Sequence, residues 1–177
     1  MNNLRLLLFL ATMFAGFLVA GKLHAADYRV AAEDVLTITV FDEPDLSVRE
    51  SRVSTSGAIA MPLIGDVRVA GRTTDQIAVI VERKLADGYL KKPRVSVSIH
   101  EYRQIFVNGE VKEPGGYSFR EGLTVQKAIV LAGGLTERAS ESKISLITEK
   151  SPNETRRVTL DHRVSPGDVI TVGESFF

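Results

Sequence analysis

The sequence predicts an α+β protein in which many short strands are covered by a few helices. One phrase, an Asp-containing turn followed by an alternating apolar and Thr run, occurs twice, at residues 30–40 and 164–172, and is typical of a half-buried strand behind a tight turn. Gly and Pro divide most of the chain into strand-length pieces. After the N-terminal segment, apolar residues recur at the three- to four-residue interval of a helix near residues 73–87 and 124–132.

Residues 1–25 predict a cleaved export signal. Arg5 supplies a positive start, residues 6–20 are apolar, and small residues then allow cleavage after Ala25 or Ala26. The apolar run is shorter than the roughly 20 residues of a spanning helix. This length favours cleavage over a retained membrane anchor.

Composition excludes several classes of function. The 177 residues carry 22 basic and 22 acidic side chains, so no basic excess predicts nucleic-acid binding. The chain has no Cys, which rules out disulfides, thiol nucleophiles, thiolate metal sites and a lipidated Cys at the cleavage site. The length beyond the signal suits one domain or two small ones.

The first unit after the signal is predicted to be strand-rich with one covering helix. Its predicted strands are 35–41, 49–55, 58–61, 66–69 and 94–102. Thr73 and Gln76 form a capping-box pattern that starts the helix. Its apolar face carries Ile77, Val81 and Leu85, and it ends at Gly88.

A second unit is expected to follow without a linker. Its predicted strands are 104–108, 117–119, 144–148, 157–160 and 169–172. Residues 113–116 read as a turn, Thr124 starts a short helix, and Gly133 and Gly134 end it. A hairpin followed by one helix and further strands is the β-grasp order.

Short motifs along both units resemble a known family. The first set comprises DYRV at 27–30, DVL at 34–36, FDEPDLS at 41–47, VSTSG at 53–57, MPLIG at 61–65, VAG at 69–71 and PRVSV at 93–97. These residues are similar to the polysaccharide export domain of the Wza-type outer-membrane polysaccharide exporters. The second set, VNGEV at 107–111, PGGY at 114–117 and AGGLT at 132–136, resembles the soluble-ligand-binding β-grasp (SLBB) domain.

The resemblance implies transport without catalysis and without a cofactor. It implies a signal at 1–25, a polysaccharide export domain at 26–102 and an SLBB domain with a C-terminal strand at 103–177. The expected protein is a subunit of a homo-oligomeric periplasmic ring, associated with the outer membrane, through which capsular or extracellular polysaccharide leaves the cell. The expected partner is an inner-membrane co-polymerase that regulates chain length.

Two features depart from the family pattern. The family usually starts the mature chain at a lipidated Cys, and many members end in a membrane-crossing helix. Here no Cys is present, and only residues 173–177 follow the last predicted strand, too few to span a bilayer. We therefore expect either a separate outer-membrane pore, such as a β-barrel, or function wholly within the periplasm.

Candidate reactive residues favour structural roles. Asp34 and Asp168 could form the paired carboxylates of a glycosidase, but each lies in the repeated turn, where Asp side chains bond the local backbone. The remaining candidates for metal, nucleophile or phosphate chemistry lack the required partners or spacing: Asp42, Glu43 and Asp45; His24, His100 and His162; Ser54, Ser56 and Ser118; Gly115, Gly116, Gly133 and Gly134. We assign no catalytic, metal or cofactor residue and identify no substrate-binding residue.

Aromatic residues leave one alternative open. Tyr28, Tyr89, Tyr102 and Tyr117 could stack on sugars, although core or interface packing is favoured for each. Phe176 and Phe177 fit either a core or a partner contact. The alternative function is a monomeric periplasmic glycan-binding module, and a hydrolase is a third, less favoured hypothesis.

Overall fold

The computed structural model describes residues 28–175. Within this range the chain forms ten strands and two α-helices. Two separate hydrophobic clusters divide these elements into an N-terminal and a C-terminal unit. The predicted α+β class is confirmed. The predictions for the export signal, His24, Phe176 and Phe177 lie outside the described residues.

The N-terminal unit combines a three-stranded antiparallel sheet, a two-stranded hairpin and one helix. Its elements are β1 (Val35–Val40), β2 (Val48–Arg52), β3 (Ala58–Met61), β4 (Gly65–Arg68), α1 (Thr74–Ala86) and β5 (Val95–Glu101). Strand β1 pairs with β2 on one side and β5 on the other, while β3 pairs with β4. A short 3-10 helix, Pro44–Leu46, follows β1, where proline ends the strand.

Helix α1 begins and packs as the sequence predicts. The Thr73 hydroxyl accepts a hydrogen bond from the Gln76 backbone N–H at 3.3 Å, and the Gln76 side-chain oxygen accepts one from the Thr73 N–H at 3.2 Å. The capping box is therefore confirmed. Ile77, Val81 and Leu85 are fully buried in the N-terminal cluster. Burial of each contributes about 1.5–3 kcal/mol, so this face fixes the helix to the sheet.

The C-terminal unit is a mixed five-stranded sheet with one helix. Its elements are β6 (Ile105–Gly109), β7 (Gly115–Tyr117), α2 (Val125–Leu131), β8 (Ala139–Thr148), β9 (Ser151–Arg157) and β10 (Val169–Glu174). The strand order is β7-β6-β10-β8-β9, with β10 parallel to β6 and antiparallel to β8. The hairpin, helix and parallel central strand form a β-grasp-like fold, as expected.

Strand β7 lies two residues before its predicted position, and residues 115–116 are not a turn. Gly116 pairs with Phe106 across the sheet. A Cβ atom at Gly116 would lie 3.2 Å from Cε1 of Phe106 and 2.5 Å from the side-chain oxygen of Gln104. The side chains of Phe106 in β6 and of Gln104 just before it thus occupy the space that the glycine leaves, and this cover compensates for glycine in a strand.

Strand β9 was also predicted at the wrong place. The sequence indicated residues 157–160, whereas β9 is Ser151–Arg157 and forms a hairpin with β8. Most of its residues are exposed, so no apolar alternation marks the strand. The following residues cross to α2, where the carbonyls of Leu160 and His162 accept the backbone N–H groups of Gln126 and Val125 at 2.9 and 3.0 Å.

Candidate functional site

The repeated phrase forms the same turn twice. In the first copy, the Asp34 carboxylate accepts a hydrogen bond from the Ala31 backbone N–H at 2.8 Å. In the second copy, the Asp168 carboxylate accepts one from the Ser165 N–H, also at 2.8 Å. The predicted local role of both carboxylates is therefore confirmed.

Each turn also has the same backbone conformation and leads into a central strand. Glu33 and Gly167, the residues just before the two aspartates, have φ values of 70° and 84°. The first copy opens β1, the middle strand of its sheet, and the second opens β10, the middle strand of the other. The repeat therefore starts the central strand of both units.

The three residues between β5 and β6 join the two turns. The Arg103 backbone N–H donates to the Asp34 carboxylate at 3.0 Å. The next residue, Gln104, accepts the backbone N–H of Gly167 at 3.1 Å through its carbonyl. The connection between the units is therefore hydrogen-bonded to both copies of the repeated turn.

The side chain of Arg103 extends this link into an ion-pair network. Its Nη1 lies 3.3 Å from Asp34, whose side chain is fully buried, and donates to the Tyr28 hydroxyl at 2.5 Å. The Tyr28 hydroxyl in turn donates to Asp34 at 2.6 Å. At its other nitrogen, Arg103 pairs with Glu149, which lies in the turn between β8 and β9. One guanidinium thus bonds to both units.

Electrostatics keep the members of this network in complementary protonation states. Burial, reinforced by the hydrogen bond to Asp34, raises the pKa of Tyr28, so its hydroxyl stays protonated and donates. Burial alone would lower the pKa of Arg103, but Tyr28, Asp34 and Glu149 together raise it, so the guanidinium stays charged.

In the second copy of the turn, burial raises the pKa of Asp168 against the opposing effects of the Ser165 N–H, His162 and Arg103.

Three aromatic rings cross the same junction. Tyr102 makes edge-to-face contacts with Tyr28 at 4.9 Å and with Phe119 at 5.2 Å between ring centres. Its hydroxyl donates to Glu121 at 2.9 Å, and burial followed by this bond raises the pKa of Tyr102 to about 12. Such pairs contribute about 0.5–1.5 kcal/mol each beyond the buried area. Packing is therefore the observed role of Tyr28 and Tyr102.

The other two tyrosines differ in how far they are buried. Tyr117 packs against the C-terminal cluster and donates to the Glu113 carbonyl, so the packing prediction holds there. Tyr89 is 51% exposed, so it does not pack in the core of this chain, and the interface contact stays a prediction for that residue. It lies in the turn that follows α1, where its backbone N–H donates to the Leu85 carbonyl at 3.2 Å.

The structure places His100, Asp42, Ser54 and Ser56 on the surface, each with a close side-chain partner. His100 lies 3.7 Å from Glu50 on an exposed face, and no cluster of three or more His, Asp or Glu residues within 28–175 is placed to hold a metal ion. Asp42 pairs with Arg94 at 3.2 Å on the surface. Ser54 and Ser56 bond to each other at 2.8 Å.

The glycine predictions were partly right. Gly133 and Gly134 end α2 with φ values of 77° and 90°, as expected. Gly115 and Gly116 lie in β7 instead of a turn. Ser118 follows that strand and borders a cavity of about 700 Å³ beside α2.

Sequence reasoning missed the residues that join the units. Arg103, Glu149, Phe119 and Glu121 belong to no motif, because their partners lie 17 to 75 residues away in the chain. The only sequence signal was the repeated Asp turn, which located one end of the network.

Cavities flank the junction on two sides. One, of about 390 Å³, is bordered by Tyr28, Thr73 and Tyr102. Another, of about 600 Å³, is bordered by Arg103, Phe106 and residues of both units.

None of the helices in residues 28–175 has the length and apolar character that a membrane crossing requires.

Comparisons with known families match both units. Residues 23–100 match the model of the polysaccharide biosynthesis/export protein family, and residues 104–158 match the SLBB domain. The two matches occur in the order of the two structural units. They meet at the connection that carries Arg103.

Curated relatives agree with these matches. The chain is 29% identical to the exopolysaccharide production protein ExoF of Rhizobium meliloti, over 88% of this chain and 42% of that protein. It is 32% and 31% identical to the EPS I polysaccharide export outer membrane proteins EpsA of Ralstonia nicotianae and Ralstonia solanacearum, over 69% and 70% of this chain. The chain spans about two fifths of the length of these relatives. By its matches and its fold, this chain belongs to the Wza-type polysaccharide biosynthesis/export protein family, and its export region is followed by an SLBB domain.

Proposed function

We propose that this chain is a subunit of a periplasmic ring, associated with the outer membrane, that conducts capsular or extracellular polysaccharide without catalysis. The observation that carries the proposal is the succession of an export-family match and an SLBB match. Relatives named for exopolysaccharide production and export support the same role. We propose domain boundaries at 26–102 and 103–177, with the connection near Arg103.

The junction supports a ring wall in which the two units move together. The buried Asp34–Arg103 pair and the ring contacts of Tyr102 resist rotation of one unit against the other. If each subunit contributes one unit to each of two stacked rings, a rigid junction keeps the channels of the two rings aligned. Function here follows from geometry, since a wide hydrated lumen lets a polymer pass without a reactive group.

Exposed apolar side chains support contact with other copies of the chain. Leu63 at the tip of the β3–β4 hairpin and Val130 on α2 are 57% and 69% exposed. A head-to-tail ring uses two different surfaces of each subunit. One apolar position on each unit is compatible with such an arrangement.

The direct test is the mass and shape of the secreted form. We expect a closed oligomer by native mass measurement and by imaging, alone or together with an inner-membrane chain-length regulator and a separate outer-membrane β-barrel. A deletion strain should retain polymer in the periplasm, and the wild-type chain should restore export. A monomer under every condition, combined with normal export from the deletion strain, would contradict the proposal.

A monomeric glycan-binding module is the second candidate. The cavity of about 700 Å³ beside α2, bordered by Tyr117, Leu123 and Leu131, favours it, because its size is that of a small-molecule site. Saturable binding of an oligosaccharide by a chain that stays monomeric would select this candidate over the ring.

A further inference from the structure

Phe106 presents one side of its ring to solvent at the junction of the two units. It lies on the outer face of β6, is 47% exposed, and covers Gly116 of the paired strand. Because the residue paired with Phe106 on β7 is a glycine, it has no side chain that could shield the ring. Phe106 thus forms a flat apolar surface at the edge of the cavity of about 600 Å³.

Polar groups of both units line the same cavity as this ring. Gln104 lies beside it with its side-chain oxygen close to Gly116, and no protein group among residues 28–175 is hydrogen-bonded to that amide. Glu101 and Arg52 come from the N-terminal unit, and Glu149 comes from the C-terminal one. Both charge signs are present, so the set suits a neutral ligand with several hydroxyl groups better than a strongly charged one.

We propose that this groove, defined by Phe106, Gln104, Glu101, Glu149 and Arg52, is a saccharide subsite. The apolar face of one pyranose ring stacks on Phe106, while neighbouring hydroxyls bond to the Gln104 amide and to the carboxylates. An amide and carboxylates that border one cavity offer both donors and acceptors to a vicinal diol. This inference rests on the proposed function and names the part of the subunit that touches the polymer.

The same geometry predicts weak binding. The groove is open, and a single aromatic face contributes only a weak stacking interaction when a flat ring lies on it, by analogy with nucleobases. Polymer transit requires each contact to be made and released quickly. The site is therefore expected to bind short oligosaccharides in the millimolar range.

The experiment is a titration of the isotope-labelled secreted chain with cellohexaose, maltohexaose and oligogalacturonate, followed by backbone amide signals. Saturable shifts are expected at Gln104, Phe106 and Gly116 with the neutral sugars, and smaller ones with oligogalacturonate. Phe106→Leu keeps an apolar cover on Gly116 but removes the aromatic face, so it should abolish the shifts and keep the fold. Phe106→Trp should retain or strengthen them.

Phe41→Ala is the matched control, since Phe41 is 49% exposed but lies elsewhere, under Arg94. It should bind sugars like the wild type. The proposal is overturned if none of the three sugars shifts these signals, or if a folded Phe106→Leu variant binds as before. It is also overturned if the variant changes only the mass of the assembly, because Phe106 would then be a subunit contact. Ring assembly and export are measured separately, so loss of the sugar site leaves the proposed function to its own test.

Discussion

Asp34 and Arg103 lie 69 residues apart in the chain and meet twice in the structure, through the Arg103 backbone N–H at 3.0 Å and its guanidinium at 3.3 Å. Asp34 belongs to the turn that opens β1, and Arg103 lies between the two units. A single carboxylate therefore holds the local turn, the connection and the side chain that reaches Glu149. This arrangement couples the start of one fold to the start of the next.

Asp34→Ala should lower the free energy of unfolding by about 3–5 kcal/mol, because it breaks a buried pair and leaves the Arg103 guanidinium with only the half-exposed Glu149 as a counter-charge. Urea denaturation monitored by circular dichroism measures the change. Glu154→Ala is the control, since its pair with Arg156 at 3.0 Å is exposed and is worth about 0–1 kcal/mol. Equal losses in the two variants would show that the Asp34 pair is not an effective link.

Tyr102→Ala should weaken the coupling of the two units. It removes both edge-to-face contacts, each worth about 0.5–1.5 kcal/mol, and the hydrogen bond to Glu121. Calorimetry should show one unfolding transition for the wild type and a broadened or divided one for the variant. Tyr89→Ala, at an exposed tyrosine, should leave the transition intact; an unchanged transition in Tyr102→Ala would contradict the role of the aromatic contacts.

Gly109→Ala should disrupt the C-terminal unit. Gly109 has a φ of 81°, and a Cβ atom there would lie 2.1 Å from the Val172 carbonyl oxygen of β10. The left-handed backbone alone costs about 1–2 kcal/mol for a residue with a side chain, and displacement of the strand adds to it. Gly122→Ala separates the two effects, because Gly122 has a φ of 75° but open space around it.

We expect the Gly109→Ala variant to lose several times more stability than Gly122→Ala in thermal unfolding. If the two variants lose the same amount, backbone conformation explains both, and the close approach of β6 to β10 is unimportant.

Asp168 should make stability depend on pH. Burial raises its pKa above the ordinary value of 3.8, so the folded chain holds this proton more tightly than the unfolded chain does. Between the ordinary and the raised pKa the folded state binds more protons, and this group's contribution to stability therefore falls as the pH rises. Asp168→Asn removes the titration and keeps an oxygen for the Ser165 N–H.

The variant is therefore expected to be at least as stable as the wild type at pH 7, with the difference shrinking towards pH 3, where Asp168 is protonated. Denaturation at both pH values measures this. A variant that is less stable at pH 7 by the same amount as at pH 3 would contradict the expected effect of burial on this carboxylate.

The local sequence pattern was sufficient to predict the structure where a single residue, or the interval between apolar residues, determines it. The capping box at Thr73, the buried stripe Ile77, Val81 and Leu85, the strand Ala58–Met61 and the helix end at Gly133 could all be predicted. Each depends on neighbours within a turn or a strand, and the sequence shows those neighbours directly. The fold class and the family follow from the same local motifs.

Tertiary structure decided the features whose partners are distant in the chain. β7 includes Gly115 and Gly116 because both pair with β6, where Phe106 covers Gly116. β9 is an exposed strand that is held in place by its pairing with β8. By itself, the sequence determined the two α+β units, the repeated Asp turn and the family. Only the tertiary structure placed Arg103 between that turn and Glu149, and Phe106 at the open groove, because side chains tens of residues apart meet only after both sheets have formed.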